Sequence, residues 1–185
     1  MKFACLLFAL MTASPLHADE LPNWTIEQPL AAVSHLTEPA SSEGVVVIND
    51  NALGGNHAGL FAGKLLIDPA GSYVDVRTQD KEWSAPTLAD YARYQTVDGP
   101  NIRLYRFSLQ AQAFAAIVQR IHNAGATPPL FCASAVQNLL AGISPFDAIE
   151  PTGWTSPSAL GHRLDPLTRG EGALGVCQKL DASPC

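Results

Sequence analysis

Two short apolar runs separated by Gly63-Lys64 restrict this chain more than any other feature. Residues 56–62 (Asn-His-Ala-Gly-Leu-Phe-Ala) and 65–68 (Leu-Leu-Ile-Asp) have strand length, and Pro69-Ala70-Gly71-Ser72 breaks the second of them. A two-residue turn would pair 62 with 65, 60 with 67, 59 with 68 and 57 with 70. In that register His57, Gly59 and Asp68 share one face of a hairpin, because side chains alternate along a strand. Asp68 then sits opposite a glycine, which has no side chain to block it, and diagonal to His57. A three-residue loop would flip the parity and separate the two.

The rest of the chain supplies partners for that hairpin. Gly44-Val45-Val46-Val47-Ile48 is a continuous β-branched run and reads as a central strand. Residues 101–107 alternate as a second strand, with Ile102 and Leu104 on one apolar face and Tyr105 and Phe107 out of phase with it. Tyr73-Val74-Asp75-Val76-Arg77 also alternates and is expected to extend the sheet. A short helix is predicted over 86–95, after Ser84. A longer one is predicted over 109–124, with Ser108 as N-cap and Phe114, Ile117, Val118 and Ile121 at core spacing. Thr155-Ser156-Pro157-Ser158 reads as a cap-and-proline start for a helix ending near Leu164. The expected class is α+β, an antiparallel sheet packed against helices.

Cys132 stands at the start of an apolar helix that follows Pro128-Pro129 and stops at Gly142. Backbone N–H groups of a first helical turn are unpaired and the macrodipole is positive there, so a thiolate is stabilised. Cys132, Val136, Leu139 and Leu140 share a face that directs the sulfur toward the sheet. Taken alone, His57 reads as a hairpin histidine bonded to a carbonyl, Asp68 as a turn carboxylate capping N–H groups, and Cys132 as a small packing residue. Together they form a candidate nucleophile, base and orienter. His162 is the second-choice base, and His122 is expected to serve only the end of its helix. No histidine spacing matches a zinc site, and neither metal nor cofactor is expected.

Residues 1–18 have a basic start at Lys2, an apolar run and a small residue before Asp19-Glu20, the pattern of a secretory signal peptide. That run is too short for a membrane span after cleavage, and no later segment is long or apolar enough for one. A secreted or periplasmic monomer is the expectation. Residues 19–43 read as an extended N-terminal arm with a short helix around 30–36, residues 44–164 as the domain, and 165–185 as a C-terminal tail. Seventeen acidic against eleven basic residues give a net charge of −6, which argues against nucleic acid as partner. Of the four cysteines, Cys5 lies in the leader. Cys177 and Cys185 are close enough to close a small loop, which leaves Cys132 as the odd, free thiol.

The order of these motifs, Asn56-His57-Ala58-Gly59, then Leu66-Ile67-Asp68-Pro69-Ala70-Gly71-Ser72-Tyr73, then Phe131-Cys132-Ala133-Ser134-Ala135-Val136, resembles the circularly permuted papain-like cysteine hydrolases, relatives of the NlpC-type cell-wall peptidases. The likeness runs from Gly44 to Leu164. It implies a permuted papain-like core with the nucleophile Cys132 at a helix N-terminus, the base His57, and Asp68 where that superfamily often carries His or an amide. It further implies amide hydrolysis through a thioester, with peptidoglycan peptides the leading substrate. The alternatives are a thioesterase or lipid acyltransferase of the same fold, and a secreted binding module with an inert cysteine.

Overall fold

The sheet forms around β1 (Glu43–Asn49), whose continuous apolar run is buried on both faces. In the computed structural model, which describes residues 33–185, five antiparallel strands lie in the order β3-β2-β1-β4-β5. The flanking strands are β2 (His57–Ala62), β3 (Leu65–Ile67), β4 (Ile102–Ser108) and β5 (Val176–Lys179). Because successive side chains of β1 point to opposite sides, a strand in this position must be covered twice. Val46 and Ile48 enter one core together with Leu60, Tyr105 and Phe107, under the helices α3 (Ala111–Asn123), α4 (Cys132–Leu140) and α5 (Pro157–Leu164). Val45 and Val47 enter the other with Phe61, Ile102 and Leu104, under α1 (Tyr73–Arg77), α2 (Leu88–Gln95) and Val33. The two phases of residues 101–107 are thus both apolar because each faces a core.

The hairpin has the register that a two-residue turn dictates: Ala62 opposite Leu65 and Leu60 opposite Ile67. Gly63 takes φ +55° in that turn, where an L side chain would be strained. The cap of α5 is also as read, with Ser156 Oγ accepting from Ala159 N–H at 3.2 Å.

Four local expectations are corrected. Tyr73–Arg77 is a helix and not a strand. A helical turn brings side chains four apart onto one patch, and both the Tyr73 hydroxyl and Arg77 Nε donate to buried Asp90 Oδ2 at 2.8 Å. An extended segment would hold those two groups too far apart to share one carboxylate. Ser108 is not a cap; it ends β4, Leu109 N–H still bonds Ser42 O at 2.9 Å, and α3 starts only at Ala111 after Gln110. α2 begins after Thr87, whose hydroxyl accepts from Asp90 N–H, while Glu38 takes the N–H groups of Leu88 and Ala89. Residues 165–185, read as a tail without a strand, carry β5, which pairs with β4 from Arg106↔Val176 to Arg103↔Lys179.

The expected signal peptide and most of the expected arm lie outside the described residues; of the arm, Val33 packs into the α2-side core. Among the described residues no helix is long and apolar enough to cross a membrane.

Cys177 and Cys185 form the disulfide expected from their spacing, and Cys132 is the free thiol among the described cysteines. The bridge closes a short loop behind β5, a constraint of about 2.5 kcal/mol on the chain-entropy model. Cys185→Ser should lower the melting temperature by about 5 °C or more, and peptide mapping of the native protein should recover a 177–185 bridge with a free 132.

Candidate active site

His57 opens β2, on the face shared by Gly59 and Phe61. Its position is set from β1: Asn49 pairs with His57 in the ladder, and Asn56 N–H donates to Asn49 O at 2.7 Å. The Asn49 side chain is buried and donates to the Gln95 carbonyl and to Asp98, while accepting from both nitrogens of Asn51. A polar residue this buried holds its loop because every unmade hydrogen bond there costs about 1–3 kcal/mol.

Asp68 follows β3 and turns its carboxylate back over the start of β2. Its Oδ1 accepts from His57 Nε2 at 2.6 Å and from the Tyr91 hydroxyl at 2.7 Å, and its Oδ2 accepts from Tyr73 N–H at 3.1 Å. The turn-capping role and the histidine-orienting role therefore fall on separate oxygens of one group. Gly71 makes room for it, since a Cβ there would come within 2.2 Å of the carboxylate. The space over Gly59 is used differently from the expectation. It holds the phenol of Tyr91, whose oxygen would lie 2.2 Å from a Cβ at 59.

Cys132 comes from the opposite layer and meets His57 at the open edge of β2. The even residues of β2 face β3, and the hairpin register would place Pro69 opposite Ala58; β3 stops at Ile67 instead. The Ala58 N–H, left without a strand partner, and the Ala133 N–H in the first turn of α4 both act on the Cys132 sulfur to favour its anionic form. With His57 Nε2 taken by Asp68, Nδ1 is the ring nitrogen left to hydrogen-bond the thiol. All three side chains are dry: His57 is 14 % exposed, Asp68 3 % and Cys132 5 %.

Burial alone would raise the thiol pKa, but the hydrogen bond and charge of His57, then the two N–H groups, outweigh it and hold Cys132 below its ordinary value. Burial likewise acts to lower His57, and its hydrogen bonds to Asp68 and Cys132 outweigh that, raising it to about 9. Asp68 is pushed up by burial and pulled further down by His57, Tyr91 and Tyr73 N–H. The shifts of Cys132 and His57 both run toward a thiolate and imidazolium pair. Tyr91, fully buried against Asp68, has its pKa raised well above 10 by burial first and that carboxylate second, so it remains a neutral donor.

The three residues singled out from the sequence thus converge. His162 does not join them: it is exposed, with its Nδ1 3.7 Å from Asp165 Oδ2. His122 is exposed at the end of α3. Tyr91 and Ala58 N–H were not legible, because a tyrosine on a short helix carries no sequence mark of its target and a backbone donor carries no residue identity. Among the described residues no three His, Cys, Asp or Glu side chains gather as metal ligands would. The chain matches no family model, no curated protein and no solved structure.

Two measurements follow from the electrostatics. Alkylation of Cys132 by iodoacetamide should persist well below the unperturbed thiol pKa of about 8.5, and His57→Ala should abolish that low-pH reactivity. Because His57 is raised from 6.5 to about 9, its stabilising contribution is complete below pH 6.5 and lost as pH rises through 9. The lowered Cys132 acts in the opposite sense, adding stability as pH rises toward the unperturbed thiol value of about 8.5, so the two offset below that value and the melting temperature of wild type should fall only above it, a fall absent from His57→Ala. Separately, Tyr91→Phe should cost about 1–3 kcal/mol of stability by removing one donor from a buried carboxylate, measured by urea unfolding.

Proposed function

We propose that this chain is a cysteine hydrolase that cleaves an amide bond through a thioester. The single observation behind this reading is that Cys132, His57 and Asp68, from α4, β2 and the end of β3, meet as one hydrogen-bonded chain in a buried setting. A packing cysteine needs no imidazole, and a structural histidine needs no free thiol. The order of the three along the chain supports a permuted papain-like core, and the disulfide is compatible with an extracellular location.

In the mechanism, the Cys132 thiolate attacks the substrate carbonyl carbon, and the carbonyl electron pair moves onto oxygen. The N–H of Cys132 itself, in the first turn of α4 where donors lack intrahelical acceptors, is the group that would receive that oxyanion. The His57 imidazolium gives its proton to the departing amine as the C–N bond breaks, which leaves a thioester and a neutral ring. The ring then takes a proton from water, the hydroxide adds to the thioester, and collapse releases the acid and the thiolate with His57 protonated again. Asp68 stabilises the imidazolium throughout and fixes its orientation, without itself being protonated.

Peptidoglycan stem peptides are the first substrate to test, on the strength of the motif order; a thioester or ester substrate would use the same steps. Cys132→Ala should abolish turnover while moving the melting temperature by only a few degrees, because the thiol is replaced by a similar apolar group. Absence of turnover on amides, esters and thioesters by wild type, with unfolding of the variant, would establish a structural cysteine instead.

A further inference from the structure

The segments that adjoin the reactive pair carry exposed apolar side chains and no charged residue of their own. Three segments adjoin it. Residues 51–56 run into His57, and their Gly54 O accepts Ser158 N–H at 3.0 Å. Residues 151–156 are tied to the first turn of α4, where Thr155 N–H donates to Ser134 Oγ at 2.8 Å. Residues 123–131 run into Cys132. No Asp, Glu, Lys or Arg occurs between Asp50 and His57, between Glu150 and His162, or between His122 and Asp147. The same segments hold four of the large apolar side chains exposed to solvent: Leu53, Leu130, Phe131 and Trp154.

Leu130 is the most informative of them. Phe131 N–H bonds Pro128 O at 3.2 Å, closing a β-turn with proline second and Leu130 third, at φ +70°. Glycine ordinarily fills that place, and a branched side chain there is disfavoured. This leucine is also 83 % exposed, so it recovers nothing from the core. Two unfavourable choices together at the residue two before the thiol are a cost that a bound apolar group would offset. Trp154, 60 % exposed, is one residue from the bond to Ser134.

We propose that Leu130, Phe131 and Trp154 form a subsite for an uncharged, apolar acyl group on the carbonyl side of the scissile bond. This rests on the hydrolase reading and narrows it. A carboxylate or ammonium on the acyl group would lose its water among these segments, whose neighbouring cation Arg163 is already engaged by Gln137 Oε1 and Thr155 Oγ1, whereas an aliphatic or aromatic group covers side chains that are otherwise wet.

The test uses pairs of equal length that differ in charge. Hydrolysis of p-nitrophenyl hexanoate should exceed that of the p-nitrophenyl monoester of adipate by at least about tenfold in kcat/KM, the scale of discrimination a few apolar contacts supply. Alkylation of Cys132 by N-hexyl iodoacetamide should likewise outpace that by its 5-carboxypentyl analogue. Leu130→Gly and Trp154→Ala should bring both ratios toward one, with no loss of melting temperature in Leu130→Gly; Leu174→Ala, an exposed leucine outside these segments, should leave both ratios alone. If esters turn over with no preference, or the variants keep the preference, the subsite is wrong and the hydrolase stands. If no ester, amide or thioester turns over but the alkylation ratio holds and collapses in the variants, the subsite stands and the hydrolase falls. Equal alkylation without turnover overturns both.

Discussion

Pro69 has no N–H to give a sheet ladder, and the strand that should cover Ala58 ends two residues early, at Ile67. Much of the site depends on that early ending. The gap leaves Ala58 N–H unpaired by the sheet, and the N-terminus of α4 brings the Cys132 sulfur to it. Had β3 run on to pair with Ala58, its backbone would have occupied the place of the sulfur. The same turn from Asp68 to Tyr73 folds the carboxylate back over β2 and holds its far oxygen with Tyr73 N–H.

A row of alternating charges then sits where water is excluded. Each group loses hydration on burial and recovers it from a neighbour in the row, which is why all three are shifted toward their charged forms against the direction burial would push them. Tyr91 completes the row without adding charge. It needs Gly59 to be a glycine, since the phenol lies against the backbone of β2 at a distance that any side chain would forbid. The aromatic stack of Tyr91 with Phe61 and Tyr73, edge-on in both contacts, ties that phenol to the α2-side core. Core packing and site geometry are here the same contacts.

The hairpin register was legible because Gly63-Lys64 allows few turns and the strand period is two. The split of residues 102–107 between two cores was written in its two overlapping apolar phases, once the strand was known to lie between layers. Tyr73–Arg77 misled because a five-residue alternation fits a strand as well as one turn of helix. The deciding bonds go to Asp90, more than a dozen residues away, which local pattern cannot reveal.

What the sequence determined by itself was the local inventory: a central apolar strand, a two-residue hairpin placing His57 and Asp68 on one face, a lone thiol at the start of an apolar helix, and two cysteines near enough to bridge. Each follows from spacing along the chain, which strand and helix periods convert directly into facing. The tertiary structure alone decided that the thiol and the imidazole, from layers on opposite faces of the sheet, meet around its open edge. It also decided that a helical tyrosine fills the room above Gly59 and that the last strand joins β4. Those contacts join segments far apart in sequence, and their geometry depends on how layers pack, which no local period encodes.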